Sequence, residues 1–129
     1  MNLEEAREFF KKDRFATYKT GIEIDEIGEK YSKCSFEITP DDVAAHGSVM
    51  GGAIFTLADF AFAVAANSGG RLTVTVSSNI NFISMPKHNK LTGECKCLKD
   101  GKRACFYEVK ITDGLGNLVA EVTSNGLHI

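Results

Sequence analysis

The chain has 129 residues, 43% of them apolar, and its 15 basic and 17 acidic residues leave a net charge of −2. A chain of this length buries roughly two thirds of its unfolded surface, so we expect a single globular domain spanning residues 1–129. The near-neutral charge and scattered basic residues argue against nucleic acid as a partner. The acidic start MNLEEAREFF is unlike a secretory signal, and no apolar run reaches the roughly 18 residues of a membrane span. We therefore expect a cytoplasmic protein without a membrane partner.

The predicted elements begin with a short helix. Leu3, Ala6 and Phe10 recur at helical spacing, which predicts an amphipathic helix over residues 3–14. Alternating apolar residues in KTGIEIDEI and SKCSFEI, with a glycine turn between them, predict a β-hairpin. Pro40 ends this hairpin, and the following stretch DDVAAHGSVMGG is typical of a loop.

One long helix and four more strands make up the rest of the chain. Residues 50–66 are predicted to form a helix, and AIFTLADFAFAVAA, residues 53–66, is apolar all around the axis, which is typical of a buried helix. After the turn NSGG, the segments RLTVTVSSNINFIS, LTGECKCLK, RACFYEVKIT and NLVAEVTSNGLHI predict four strands separated by turns. This order predicts an α+β fold in which an antiparallel sheet covers one central helix.

The cysteines and histidines do not form a pattern that is typical of a metal site. Cys95 and Cys97 have one residue between them, whereas zinc and redox motifs have two, and no histidines lie at the i, i+4 spacing of a helical zinc site. We expect reduced thiols that pack as small hydrophobic groups, with metal binding as the less favoured alternative. The four cysteines are Cys34, Cys95, Cys97 and Cys105.

Asp59 is the single ionisable residue within the long helix. A charge among apolar neighbours is costly unless another group compensates for it. A structural interpretation is that Asp59 pairs with a basic residue of the sheet or lies on a hydrated strip of the helix. A functional interpretation is that the carboxylate is held dry as a nucleophile or general base. The aspartate alone leaves both interpretations open.

The pair Gly51 and Gly52 stands at the start of the same helix. Without side chains, the free backbone N–H groups at this positive end can hold an oxyanion. The structural alternative is a tight turn with Ser48 as the helix cap. Gly51 and Asp59 lie about 12 Å apart along the helix axis, too far to act on one carbon within one chain. A site that uses both would need two chains, as in a C2 dimer with antiparallel helices side by side.

Several segments together resemble a known family. The segment HGSVMGGAIFTLADFAFAVAANS, the strand NINF with Pro86 beyond it, and the turn DGKR resemble a hotdog-fold acyl-CoA thioesterase of the phenylacetic-acid-degradation type. The resemblance runs from about Gly21 to His128. It implies a sheet wrapped around a central helix and hydrolysis of an acyl-CoA thioester without a cofactor beyond the coenzyme A of the substrate. It also implies a homodimer with two composite sites, often paired into a homotetramer.

The same resemblance implies roles for three residues. The backbone N–H of Gly51 polarises the thioester carbonyl and takes up the charge of the tetrahedral intermediate. Asp59, supplied by the partner chain, attacks the carbonyl or removes a proton from water. The hydroxyl of Thr75 helps to place the attacking water.

Residue types indicate further substrate contacts. The acyl group needs an apolar slot, and the coenzyme phosphates need scattered cations because the chain has no phosphate-binding glycine loop followed by Lys-Ser or Lys-Thr. Core packing of the aromatics and solvation of the cations are the ordinary structural explanations. The candidates are Met50, Gly52, Phe60 and Phe82, with Phe55, Phe62 and Met85, for the acyl end, and Lys87, Lys90, Lys102 and Arg103 for the phosphates.

Two positions depart from the family pattern. The family usually has an asparagine where this chain has Ala44 and a histidine where it has Met50. His46 lies between them and could supply a polar group, or be a loop histidine satisfied by backbone. Two other classes stay open: a hydratase or dehydratase on the same fold using His46, and a noncatalytic acyl-CoA binder that tolerates both departures.

Overall fold

The computed structural model describes residues 1–129 without a gap. The helices and strands, in chain order, are α1 (Leu3–Phe10), β1 (Glu23–Gly28), β2 (Tyr31–Glu37), α2 (Gly51–Asn67), β3 (Thr73–Phe82), β4 (Lys90–Asp100), β5 (Ala104–Asp113) and β6 (Leu118–His128). A π-helical turn, Phe15–Lys19, follows α1, and a 3-10 turn, Pro40–Asp42, follows β2. Neither helix has the length and apolarity needed to span a lipid bilayer.

The six strands form one antiparallel sheet in the order β1-β2-β4-β5-β6-β3. Within it, β3 is an edge strand that pairs with β6 from Thr73 opposite His128 to Phe82 opposite Ala120. The other side of β3 has no partner strand, and Val76 on this strand is 61% exposed. The chain therefore presents a ten-residue strand edge that is open to a further strand.

Helix α2 packs against the sheet through small residues. A Cβ at Gly93 of β4 would lie 3.2 Å from Cγ of Leu57 and 3.1 Å from Cδ1 of Ile111, so this glycine permits a close approach of helix and sheet. The Ser32 hydroxyl donates to the Ala61 carbonyl at 2.6 Å and ties α2 to β2. An antiparallel sheet around one long helix is the hotdog fold, which confirms the predicted architecture.

One strip of α2 is not covered by the sheet. Gly52 and Asp59 are exposed, and Thr56 and Ala63 between and beyond them are half-buried. These residues follow one another at the four- and three-residue steps of a single helix face. The prediction that α2 is buried all round is therefore wrong for the single chain, because the sheet does not cover this face.

Helix α1 is shorter than the predicted 3–14. It ends at Phe10, whose ring packs edge-to-face on Phe60 of α2 with the ring centroids 6.0 Å apart. The chain then turns, which buries Ala16, and the Ala16 carbonyl accepts a hydrogen bond from the Ile22 N–H at 3.0 Å. Helical periodicity indicated this segment, but a tertiary contact with α2 sets its end.

All four cysteines are free. Cys34, Cys95 and Cys105 are fully buried in the core, and Cys97 is half-buried. Burial raises the pKa of Cys34 to about 12, so this thiol stays protonated near neutral pH. The cysteines pack as small hydrophobic groups, as their alternating pattern indicated.

Candidate active site

The loop before α2 determines where this helix begins. The Ala44 N–H donates to the Ser48 carbonyl at 2.8 Å, and the Gly47 N–H donates to the Ala44 carbonyl at 2.9 Å. Gly47 has a φ of +98°, a conformation that favours glycine. The N-cap of α2 is Met50, which makes no side-chain capping bond. The alternative in which Ser48 caps the helix is therefore wrong.

The first turn of α2 offers free hydrogen-bond donors. The backbone N–H groups of Gly51 and Gly52 donate to no acceptor in the protein. They lie at the positive end of a 17-residue helix. A Cβ at Gly51 would lie 3.0 Å from Cζ of Phe82, so glycine allows the Phe82 ring to rest against the helix start. This turn can donate to an oxyanion beside an aromatic surface.

An open pocket of about 530 Å³ lies in front of Gly51. Its apolar side chains would exclude part of the water around a bound carbonyl group, which strengthens hydrogen bonds to it. His46 is the one ionisable side chain of the lining, and its ring has no hydrogen-bond partner in the protein. The lining residues are His46, Ser48, Val49, Gly51, Ile54, Phe82, Ile83, Ser84, Met85 and Pro86.

Asp59 lies in a different depression, of about 300 Å³, on the open strip of α2. Its carboxylate has no basic partner and accepts no hydrogen bond, so the salt-bridge interpretation is wrong for this chain; the residue lies on the open strip with its side chain partly covered by its neighbours. Burial by the surrounding side chains, and then the negative charge of Asp13, raise the pKa of Asp59. The other lining residues are Asp13, Arg14, Phe15, Ala16, Thr56, Phe60 and Ala63.

Within one chain, Gly51 and Asp59 do not meet. The two depressions have no lining residue in common. The eight residues between Gly51 and Asp59 correspond to about 12 Å along α2. A single chain therefore carries the free donors of Gly51 and the carboxylate of Asp59 in separate depressions.

The aromatic and methionine candidates divide between pocket and core. Phe82 and Met85 line the Gly51 pocket. Phe60 is 2% exposed beneath the Asp59 depression, and Phe62 packs edge-to-face on Tyr107 with the ring centroids 5.2 Å apart. The structure therefore brings part of the predicted apolar set to the Gly51 pocket, whereas Phe60 packs on α1 and Phe62 packs on the sheet.

Thr75, Gly52 and Met50 are among the predicted residues that lie outside both depressions. Thr75 is exposed on β3, where it pairs with Gly126 of β6. Gly52 is exposed on the first turn of α2, and the Met50 side chain folds over it, with Cε 2.8 Å from where a Gly52 Cβ would be. Met50 and Gly52 therefore lie beside the Gly51 pocket and do not line it.

The four candidate cations are exposed and lie at two ends of the sheet. Lys87 directly follows Pro86, which lines the Gly51 pocket, and Lys90 begins β4 close by. Lys102 and Arg103 lie in the turn that joins β4 to β5. Only Lys87 and Lys90 are at the same end of the sheet as Gly51.

Strand β3 shows how far apart these ends are. Its last residue, Phe82, lines the Gly51 pocket, whereas its first residue, Thr73, pairs with His128. The His128 N–H in turn donates to the Arg103 carbonyl at 2.8 Å. Ten residues of strand span roughly 30 Å. The sequence predicted scattered cations in exposed turns but did not indicate which of them lie at the Gly51 end of the sheet.

A polar cluster at the Arg103 end was also missed. The His128 ring contacts the Asp100 carboxylate at 2.7 Å through Nε2 and the Thr73 hydroxyl at 2.8 Å through Nδ1, and Lys30 lies 3.3 Å from Asp100. Burial opposes ionisation of Asp100, but the His128 and Lys30 contacts lower its pKa. Metal-ligating atoms of Asp100, Cys105 and His128 lie within 4.8 Å of one another. His128 lies more than twenty residues after Asp100 and Cys105, so spacing could not reveal the cluster.

Comparisons with known proteins agree with this fold. Residues 46–120, more than half of the chain, match the family model described as the thioesterase superfamily. The acyl-coenzyme A thioesterase PaaI of Escherichia coli K12 is 31% identical over 101 residues, 78% of this chain and 72% of that protein. The structure of the E. coli PaaI protein has a TM-score of 0.87 at 25% identity, covering 99% of this chain and 96% of that one. A Streptococcus mutans protein bound to acetyl CoA has a TM-score of 0.79 at 25% identity, covering 84% and 88% of the two chains.

The chain belongs to the thioesterase superfamily. Within it, the chain is a thioester hydrolase with a hotdog fold similar to that of PaaI.

Proposed function

We propose that this protein hydrolyses an acyl-CoA thioester to the free acid and coenzyme A. The observation that carries the proposal is the unbonded Gly51 N–H at the start of α2, which faces an apolar pocket. The names of the E. coli relative and of the acetyl-CoA-bound S. mutans protein support coenzyme A as the thiol part of the substrate. No cofactor beyond the substrate's own coenzyme A is needed for this hydrolysis.

In this mechanism the thioester carbonyl oxygen accepts a hydrogen bond from the Gly51 N–H. Charge builds on that oxygen in the tetrahedral intermediate, and losing such a donor costs roughly two to three orders of magnitude in rate. Collapse of the intermediate breaks the carbon–sulfur bond. Water supplies the hydroxyl of the acid, and the thiolate leaves and takes up the remaining proton.

Asp59 supplies the carboxylate of the proposed site from a second chain. Two routes fit its geometry: direct attack to form a mixed anhydride that water then cleaves, or removal of a proton from the attacking water. The raised pKa of Asp59 favours the second route, because it makes the carboxylate a better proton acceptor. Asp59 lies on the open strip of α2 and has no basic partner, so it is free to face another chain.

A homodimer formed through the β3 edge would supply that second chain. If two β3 strands pair antiparallel about a twofold axis, the Thr73 end of one chain lies beside the Phe82 end of the other. Lys102 and Arg103 of one chain would then approach the Gly51 pocket of its partner. The open β3 edge and the separation of the cations support this arrangement, and two such dimers could pair into a tetramer.

The site also accounts for the two departures from the family pattern. Ala44 acts through its backbone in the tight loop, and Met50 is the exposed N-cap, so neither offers a polar side chain to a substrate. His46 lines the pocket with a free ring. We assign His46 to the polar role at this position, as a donor to the carbonyl or to the attacking water.

The experiment is a thiol-release assay over short, long and aromatic acyl-CoA thioesters. Wild type should release coenzyme A, and Asp59→Asn should lose at least about 100-fold in kcat while keeping its fold. Asp41→Asn, which neutralises an exposed aspartate outside both depressions, is the control and should retain full activity. Unchanged turnover in Asp59→Asn would contradict the catalytic role. An absorbance change without thiol would indicate a hydratase, and binding without either would indicate a noncatalytic binder.

A further inference from the structure

The segment after α1 forms one wall of the Asp59 depression. Phe10 packs on Phe60, the residue next to Asp59, and thereby holds the end of α1 against α2. Asp13, Arg14, Phe15 and Ala16 follow within the next six residues and line the depression. The proposed hydrolysis assigns no role to Asp13, Arg14, Phe15 or Ala16.

The backbone of Asp13 is held in place from both sides. Its N–H donates to the Phe10 carbonyl at 3.0 Å. Its carbonyl accepts hydrogen bonds from the Thr17 N–H at 2.9 Å and the Thr17 hydroxyl at 3.0 Å. The carboxylate of Asp13, in contrast, takes part in no hydrogen bond or ion pair. Asp13 therefore has a fixed backbone and a carboxylate without a partner, so its negative charge can influence a neighbouring ionisable group.

Neither Asp13 nor Asp59 forms an ion pair in this depression. Asp13, Arg14 and Asp59 are the ionisable residues of its lining. The Arg14 guanidinium stacks over the Tyr18 ring, 4.7 Å from the ring centroid, and forms no ion pair with either carboxylate. Helix α2 contains no other charged side chain. The two carboxylates therefore line one depression without an ion-pair partner, and a like charge favours protonation of its neighbour.

We propose that Asp13 is a positioning residue of the hydrolytic site, whose negative charge faces the Asp59 carboxylate across their shared depression and promotes proton transfer to it. This inference rests on the proposed function. Asp13 acts through Asp59 and does not touch the substrate. The charge of Asp13 adds to the effect of burial on the pKa of Asp59, in the direction that improves a general base.

The first test is the pH dependence of kcat/KM, whose acid limb reports the base of the free enzyme. In Asp13→Asn the midpoint of this limb should move to lower pH, because the repelling charge is gone. Asp13→Glu keeps the charge and should stay near wild type. Glu8→Gln is the matched control, since Glu8 is an exposed acid of α1 that pairs with Lys11 at 2.9 Å, outside the depression. An Asp13→Asn midpoint equal to that of wild type would overturn the proposal.

The second test needs no turnover. Titration of the Asp59 side-chain carboxyl by carbon NMR in substrate-free protein should show a lower midpoint in Asp13→Asn than in wild type, Asp13→Glu or Glu8→Gln. If wild type hydrolyses thioesters but the Asp59 midpoint is the same in Asp13→Asn as in wild type, the role of Asp13 is refuted and the proposed hydrolysis stands. A shifted midpoint in a protein that releases no thiol would refute the proposed function, and with it any catalytic use of the Asp13–Asp59 pair.

Discussion

Two inactive variants should restore each other if one site draws on two chains. Gly51→Pro removes the proposed oxyanion donor, and Asp59→Asn removes the proposed carboxylate. Proline suits this first helical position, and Met50 before it has a ψ of 138°, the extended conformation that proline requires of the preceding residue. Each variant alone should be inactive. In a mixed dimer, one site combines both damaged halves and the other combines both sound halves.

The expected recovery follows from random pairing. After subunit exchange half of the dimers are mixed, and each has one sound site of two, so activity should approach about a quarter of wild type under twofold symmetry. Thiol release measured before and after exchange gives this number. Two differently tagged chains confirm that exchange has occurred.

Gly51→Ala separates the lost donor from the added bulk. Alanine keeps the N–H but places its Cβ 3.0 Å from the Phe82 ring, the same intrusion that the proline Cβ makes. Phe82 is 55% exposed, so its ring can give way. Gly51→Ala should therefore retain much more activity than Gly51→Pro. Proven exchange with activity still at the level of the single variants would refute the two-chain site.

Two further predictions concern the departures from the family pattern and the response to acid. If missing polar groups limit the rate, Met50→His or Ala44→Asn should raise kcat/KM on a good substrate, and no gain from either change or from both would assign the role to His46 or water. The Asp113 carboxylate accepts hydrogen bonds from the backbone N–H groups of Lys87, Leu115 and Asn117, and these bonds lower its pKa to about 2. Because the unfolded value is about 3.9, Asp113 stabilises the fold above that pH, and the contribution is lost as pH falls toward 2. Urea unfolding midpoints should therefore depend less on pH in Asp113→Asn over this range, and equal dependence in both proteins would contradict the assignment.

Periodicity was sufficient to predict the main elements. The alternating segments became β1 to β6, and the apolar run from residue 53 became the body of α2, because burial against a sheet imposes these patterns directly on the sequence. The free donors at Gly51 and the lone charge at Asp59 could also be found in the sequence, since each departs from its neighbours in residue type. Local pattern and global fold agree in these places.

The features that escaped prediction depend on contacts between distant segments. Helix α1 ends early because Phe10 meets Phe60, and no local signal marks that contact. Lys102 and Arg103 carry the same charge as Lys87, and only the strand order places them at the far end of the sheet. Asp13 lines the same depression as Asp59, a residue of α2 more than forty positions later in the chain. Spacing along a chain carries no information of this kind.

The free edge of β3 also bears on how the protein is made. Its unpaired N–H and C=O groups can join any strand that arrives, so a second folded copy competes with partly folded chains for the same hydrogen bonds. If two copies pair through this edge, as proposed, the pairing is a second-order reaction whose rate is proportional to the square of the protein concentration. At low protein concentration the β3 edge would stay unpaired for longest. At a high concentration of partly folded chains, incorrect pairing with this edge would be most frequent. The yield of soluble protein should then depend on the balance between synthesis and folding rates as much as on the stability of the finished fold.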